Sequence, residues 1–320
     1  MGGKPPKRLA LSRRQVLAGA AAACSLPVWG LVAQTTPRPL ATVEVARGIH
    51  IRRGVDEDVT LANDDAIANI GFIVGRDAVA VTDSGGSLSD GRRLRARIKE
   101  VTPLPIRYVL MSHVHPDHVF GAGAFSADQP VYVGHAGLPR ALSLRWEYYR
   151  KRSEDVLGKD TVGPVVMPTR LVSAHDEIDL GGRVLELTAH GVAHTDSDLT
   201  VLDRQSRTLI ASDLLFVQRV PSLDGSLKGW LKELAALKRI TVRRAVPGHG
   251  PVSVEWPHGS AALERYLLIL LRETRQAVAQ AVEIDAAVKT VARSEHGRWT
   301  LFDDYNGHNV IQAFKELEWE

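Results

Sequence analysis

From residue 42 onward, short runs rich in β-branched residues alternate with stretches whose apolar positions recur every three or four residues. Ile70–Val74 and residues 78–82 flank Gly75-Arg76-Asp77 and predict two paired strands. Leu88–Val101 predicts an amphipathic helix with Leu94, Ile98 and Val101 on its apolar face and the arginines at 92, 93, 95 and 97 on the solvated side. A strand over Ile106–Met111, a short helix opening at Pro116 and a strand over 131–133 come next. Residues 138–158 predict a helix carrying Trp146, Tyr148 and Tyr149, an aromatic set suited either to core packing or to the mouth of a pocket. The second half repeats the pattern, with strands at 184–187, 199–202 and 208–211, a helix over 227–240 and a strand ending at Ala245-Val246. Residues 259–282 and 308–318 predict two closing helices. Two β-rich halves that each carry helices predict an α/β (α+β) chain of two packed sheets with helices outside.

Composition narrows the class. With 320 residues, 44% hydrophobic and 24% charged, the chain is globular and is not disordered, collagen-like or a multi-span membrane protein. A formal charge of +3 and a pI near 9.0 would suit a polyanion binder, but the charge is unevenly placed. Residues 1–33 hold Lys4, Lys7, Arg8, Arg13 and Arg14 and no acid, so the body carries −2 of the +3 total. No nucleic-acid partner is expected.

The basic N-terminus reads as an address. Ser12-Arg13-Arg14-Gln15-Val16-Leu17 precedes an apolar run from Val16 to Ala33, and the stretch resembles a twin-arginine signal peptide. That implies residues 1–33 as a signal, recognition by twin-arginine export machinery, cleavage after Ala33 and a periplasmic protein with no stable membrane span. An uncleaved anchor and lipidation at Cys24 are the competing readings. Cys24 is the sole cysteine, so a cleaved chain has no thiolate to offer, and a metal site must be built from His, Asp and Glu.

The strongest chemical signal is Ser112-His113-Val114-His115-Pro116-Asp117-His118, directly after an apolar strand. On an extended segment His113 and His115 point the same way, and Pro116 starts a helical turn that turns Asp117 and His118 toward a second nearby position. Such spacing can feed two adjacent metal ions. The His-x-His-x-Asp-His pattern resembles the metallo-β-lactamase fold superfamily, and the likeness continues in order over residues 42–255 through Asp83, His194-Thr195, Asp213 and His249.

That resemblance implies a four-layer αββα sandwich of two mixed sheets with outer helices, spanning 42–255, with 256–320 as a helical extension packed on the same domain. It likewise implies that His113, His115 and His194 bind one metal, that Asp117, His118 and His249 bind a second, and that Asp213 bridges them. The implied site suits two zinc ions, with iron or manganese as alternatives. In the chemistry of such a site, a hydroxide shared by the metals attacks the substrate, and Asp117 also acts catalytically by orienting it and taking its proton. Asp83 either orients a ligand through a hydrogen bond or simply forms the strand-end turn. His190 competes with His194 for the third-ligand role, and Ser197 stands where the family often has glycine. His50, His135, His175, His258, His296 and His308 match no motif position, and His308→Ala is expected to behave as an inert control. The segment 219–225 is a candidate substrate-facing lip.

Residues 67–75, 113–121 and 224–231 and the terminal Glu316-Leu317-Glu318-Trp319-Glu320 are similar to quinoprotein relay system zinc metallohydrolases. This likeness implies a small-molecule substrate and service to a periplasmic quinoprotein dehydrogenase system. The expected function is an exported binuclear zinc hydrolase of an ester, thioester, lactone or amide. The alternatives are a β-lactamase, an iron-dependent redox enzyme and a non-catalytic metal-dependent binding or relay protein.

Overall fold

Strands β1 (Val43–Ala46), β2 (Ile49–Arg52), β3 (Ile70–Val74), β4 (Val79–Thr82), β5 (Ile106–Met111), β6 (Val131–His135) and β7 (Arg170–Val172) pair in chain order into one sheet. Pairing is antiparallel as far as β4 and parallel from β4 to β7. The second sheet holds β8 (His175–Asp179), β9 (Val184–Ala189), β10 (Leu199–Asp203), β11 (Thr208–Phe216), β12 (Arg244–His249) and β13 (Val254–Glu255), also in chain order. There only β11 and β12 run parallel. The helices are α1 (Leu88–Val101), α2 (Pro116–Val119), α3 (Leu138–Leu157), α4 (Leu227–Leu237), α5 (Ala261–Ala279), α6 (Ile284–Thr290) and α7 (Phe302–Leu317). This computed structural model describes residues 1–3 and 40–320; the signal segment with Arg13, Arg14, Cys24 and the cleavage point lies outside the described residues.

Alternation along the strands builds the layers. Successive side chains leave a strand on opposite faces, so Val79, Val81, Val109 and Met111 pack beneath α1 and α3 while Ala80 and Leu110 face the other sheet. From the second sheet Leu185, Leu187, Val201, Ile210 and Val246 meet them. On its far side Leu209 and Ala211 pack with Trp230 of α4, Leu263, Tyr266 and Leu270 of α5 and Val310 of α7. Three apolar layers therefore separate four structural ones, the αββα sandwich. Strands covered on both faces read as continuous apolar runs, and all nine residues of β11 are buried. Residues 256–320 share the apolar cluster of the second sheet rather than enclosing one of their own. Among the described residues no helix is long and apolar enough to cross a membrane.

Local signals explain the boundaries. Ser87 caps α1 by accepting from the Asp90 amide at 3.0 Å, and Leu94 and Ile98 are its buried stripe. The arginine-rich side of α1 is spent on ion pairs, Arg93 with Asp64 and Asp90, Arg95 with Asp128 and Arg97 with Glu100. β11 runs five residues beyond the predicted 208–211 because Ser212 and Asp213 are buried polar residues inside the strand. α7 starts at Phe302, not 308, because its buried face includes Asn306 and Asn309, whose amides are hydrogen-bonded to Tyr266 and to the backbone of Pro221 and Val291. α6 lies in the gap between the two predicted closing helices.

Candidate metal centre

Most of the motif residues gather at or near the C-terminal ends of parallel strands, and His194 comes from the loop of an antiparallel pair. Asp83 follows β4, Ser112 to His118 follow β5, His194 lies between β9 and β10, Asp213 is in β11 and His249 ends β12. Ligand-capable atoms of His113, His115, His194 and Asp213 lie within 4.8 Å of one another, and those of Asp117, His118 and His249 form a second such group. His115 Nδ1 is 3.1 Å from His113 Nε2 and 3.0 Å from His194 Nε2. The Asp213 carboxylate stands between the groups. Its Oδ2 is 3.3 Å from His194 Nε2, 3.6 Å from His113 Nε2 and 3.5 Å from His249 Nε2, and its Oδ1 is 3.1 Å from His118 Nε2. Asp117 Oδ2 lies 3.3 Å from His249 Nε2 and 3.5 Å from His118 Nε2.

The outward-facing nitrogens decide what the inward ones can do. His194 Nδ1 donates to the Ser222 carbonyl at 2.7 Å and His249 Nδ1 to the Ile67 carbonyl at 3.1 Å. His118 Nδ1 donates to Asp83 at 2.9 Å and His115 Nε2 to Asp224 at 2.6 Å. His113 Nδ1 meets Ser112 Oγ at 2.9 Å, whose own proton goes to Asp83 at 2.8 Å. With one ring proton placed outward, each imidazole in its neutral form presents a lone pair inward, the pattern of metal-ligating histidines. His118 Nε2 and Asp213 Oδ1 are buried and face each other at 3.1 Å, and neither completes a well-formed hydrogen bond. Orphaned buried polar atoms are costly, and a cation satisfies both. The donor set fits a metal.

Burial opposes charge at His113, His118, Asp117 and Asp213, and neighbours settle each outcome. At His113, burial and the facing His118 depress the imidazole well below its ordinary range. At His118, burial is overridden by Asp213, Asp117 and Asp83, which raise it well above. Asp213 and Asp117 are held well below the usual carboxylate range despite burial, chiefly by His118.

Supporting residues set the geometry. Asp83 adopts φ 56°, a left-handed conformation Asp tolerates, and accepts from the Ser112 amide as well as from Ser112 Oγ and His118, so it both forms the turn and orients a ring. Gly248 leaves no room beside Asp213, since a Cβ there would sit 1.8 Å from Oδ1. Gly248→Ala is therefore expected to displace the carboxylate and lower activity about 100-fold, as a misplacement near 1 Å does. An alanine variant with unchanged metal content and rate would show that the contact does not constrain Asp213.

The remaining sequence expectations divide by contact. His190 is bonded to Glu233 at 2.9 Å and Thr200 at 2.8 Å and stands outside both groups, leaving His194 in place. Thr195 and Ser197 fold over Asp198, whose carboxylate accepts from the Thr195 amide and hydroxyl. Trp146 packs edge-on against Phe120, Tyr148 is exposed, and Tyr149 lines the cavity over the centre. Arg219, Val220, Ser222 and Asp224 of the expected lip also line it.

His308, expected to serve as an inert control, stands next to the site. Its Nε2 lies 2.8 Å from Asp224 Oδ1, and Asp224 Oδ2 holds His115. Burial opposes the Asp224 charge, but His115 and His308 keep the carboxyl well below its ordinary range. Neither residue belongs to the metal-ligand motifs. The signal for Asp224 was its place in the lip; His308 carried none, because its partner is 84 residues away.

Asp65 carries no sequence signal either. It is 3% exposed and lines the cavity, and burial together with Asp117 and Asp90 raises its pKa well above the ordinary value. An acid raised in the folded state binds more protons than in the unfolded one, so stability falls as pH rises from about 4 toward the folded pKa. In metal-free protein Asp65→Asn is expected to raise Tm at pH 7 by about 2–4 °C, with the gain vanishing near pH 4. Melting curves at the two pH values test it; equal Tm at pH 7 would mean the buried acid costs nothing.

The profile of the metallo-beta-lactamase superfamily matches residues 63–249. The chain belongs to that superfamily. Among solved structures it resembles a metallo-beta-lactamase from Pontibacter korlensis, with TM-score 0.57 and 18% identity over 72% of this chain and 99% of that one. It also resembles the stereoselective inverting sec-alkylsulfatase Pisa1 from Pseudomonas sp., with TM-score 0.68 and 16% identity over 86% of this chain and 50% of that one. A linear primary-alkylsulfatase from Pseudomonas sp. (strain ATCC 19151) is 29% identical over 58 residues, 18% of this chain and 11% of that protein. The chain thus spans about half of the sulfatase structure and a ninth of the curated relative.

Proposed function

We propose that the chain is a binuclear zinc hydrolase whose substrate is a carbonyl compound, an ester, thioester, lactone or amide. The observation that carries this reading is the set of five imidazoles whose outer nitrogens are all committed, converging on a carboxylate with an orphaned oxygen. His113, His115 and His194 would hold one ion, Asp117, His118 and His249 the other, with Asp213 shared. Two bound cations supply Lewis acidity and an acidified water. Asp117 reaches the cavity beside them, and its ionised carboxylate orients the attacking water and receives its proton at Oδ2. Phe216, Val220 and Ile67 give the cavity, about 170 Å³, an apolar wall that limits bulk water.

A second reading, sulfate-ester hydrolysis, is supported by the likeness to two alkylsulfatases. The test is a panel of a thioester, a lactone, a chromogenic cephalosporin and an alkyl sulfate on zinc-loaded protein. Turnover of the thioester or lactone is expected; turnover of the alkyl sulfate alone would select the second reading. Export through the twin-arginine route and service to a quinoprotein system are further parts of the proposal, supported by Arg13-Arg14 and the sequence likeness. Retention of the protein in the cytoplasm on fractionation would remove both.

A further inference from the structure

The end of the sandwich away from the metal centre is made of strand turns, and arginines converge there. β11 and β12 carry Asp213 and His249 toward their C-terminal ends, whereas Arg207, Arg243 and Arg244 stand at their N-terminal ends. Thr208 is in register with Arg244, and the Arg243 amide donates to the Arg207 carbonyl at 3.0 Å, so strand pairing fixes their approach. Arg244 Nη1 donates to the Val45 carbonyl, which brings the β1–β2 turn with Arg47 alongside. These four arginines line a hollow of about 270 Å³ together with Gln205 and Ser206, and no acid lines it.

Arginines of the neighbouring turns are ion-paired, Arg76 with Asp77, Arg183 with Asp203 and Arg204 with Glu177 and Glu186, but among the described residues none of these four is. Residues 4–39, outside the description, contain no acid that could pair with them. Nearby acids are spent elsewhere. Glu44 accepts from the Gly48 amide at 2.7 Å, Asp203 is held by Arg183 and Ser206, and Glu255, in register with Arg244, lies 3.9 Å from His258. Arg207 spends Nε and Nη2 on the Thr241 carbonyl, while Arg47 and Arg243 are exposed and make no side-chain hydrogen bond among the described residues. Most of the five N–H donors on each guanidinium are therefore uncommitted. Arg207 also adopts φ 53°, where glycine or asparagine is the usual turn residue, so the turn does not call for arginine. Four like charges around one hollow repel each other, and their planar forks match the oxygens of an anion.

We infer that this hollow is a binding site for a small polyvalent oxyanion, a phosphate or a dicarboxylate, separate from the metal centre. The inference does not depend on the hydrolase reading.

The test is calorimetric binding of inorganic phosphate, succinate and acetate to the zinc-loaded protein at constant ionic strength. Phosphate or succinate is expected to bind more tightly than monovalent acetate, and the tighter of the two identifies the oxyanion. Arg207→Gln and Arg243→Gln are each expected to weaken it about tenfold, the value of one charge-assisted hydrogen bond. Arg243→Gln removes no side-chain hydrogen bond or ion pair of the fold, so it separates binding from folding. Arg239→Gln, which removes an exposed charge outside the hollow, and Asp213→Ala, at the metal centre, are expected to leave the affinity unchanged. Equal affinity in the wild type and both hollow variants, or an equal loss in Arg239→Gln, would overturn the site. A loss confined to Asp213→Ala would place the anion on the metal centre and overturn it as well.

Discussion

Asp213→Ala is expected to fold as the wild type does, to hold about one zinc ion in place of two, and to lose at least about 100-fold in kcat/KM. That floor is set by partners one layer outside the ligands, whose removal already costs 10–100-fold. Among the described residues its carboxylate is the one acid within 3.6 Å of inward nitrogens from both clusters. Without it, His113 and His194 on one side and His118 and His249 on the other share no anionic ligand, and two cations would face each other unscreened. Its folding role is small by comparison, since the alternating apolar faces of β11 are supplied by Leu209, Ile210 and Ala211. Elemental analysis and circular dichroism on the purified variant check both halves. A variant retaining two zinc ions and full rate would remove Asp213 from the centre.

Asp224→Ala is expected to weaken metal binding about 10–100-fold, with His308→Ala moving it a few-fold in the same direction. Asp224 accepts the proton of His115 Nε2 at 2.6 Å, which leaves Nδ1 as the lone-pair donor facing His113 and His194. His308, from α7, secures the other carboxylate oxygen. The same helix holds this loop at two further points. Asn309 accepts from the Leu223 amide and donates to the Pro221 carbonyl, and Glu316 accepts from Ser226 Oγ and the Leu227 amide at the start of α4. Because His308 acts through Asp224, the double variant should be no weaker than Asp224→Ala alone. Chelator competition with cobalt or zinc measures this directly. Additive losses would mean that His308 serves the loop and not the ligand.

Legibility in the sequence tracked the range of each interaction. The strand and helix patterns through 42–255 were readable because burial on two faces leaves apolar runs and burial on one leaves a period near 3.6. The candidate ligand residues were readable because the Ser112–His118 turn concentrates four of them and the others follow as short motifs in the order of the family pattern. What escaped was polar burial satisfied over long sequence distance. Asn306 and Asn309 disguised the start of α7, Ser212 and Asp213 disguised the length of β11, and His308 looked idle because it reaches the centre through Asp224.

The proposed chemistry depends on one edge of the sandwich holding two metal ions between seven His and Asp side chains. Elemental mass spectrometry of the purified protein, dialysed after zinc loading, tests this most directly. About two zinc ions per chain are expected in the wild type and about one in Asp213→Ala. Retention of no metal, or the same content in both proteins, would contradict the binuclear centre.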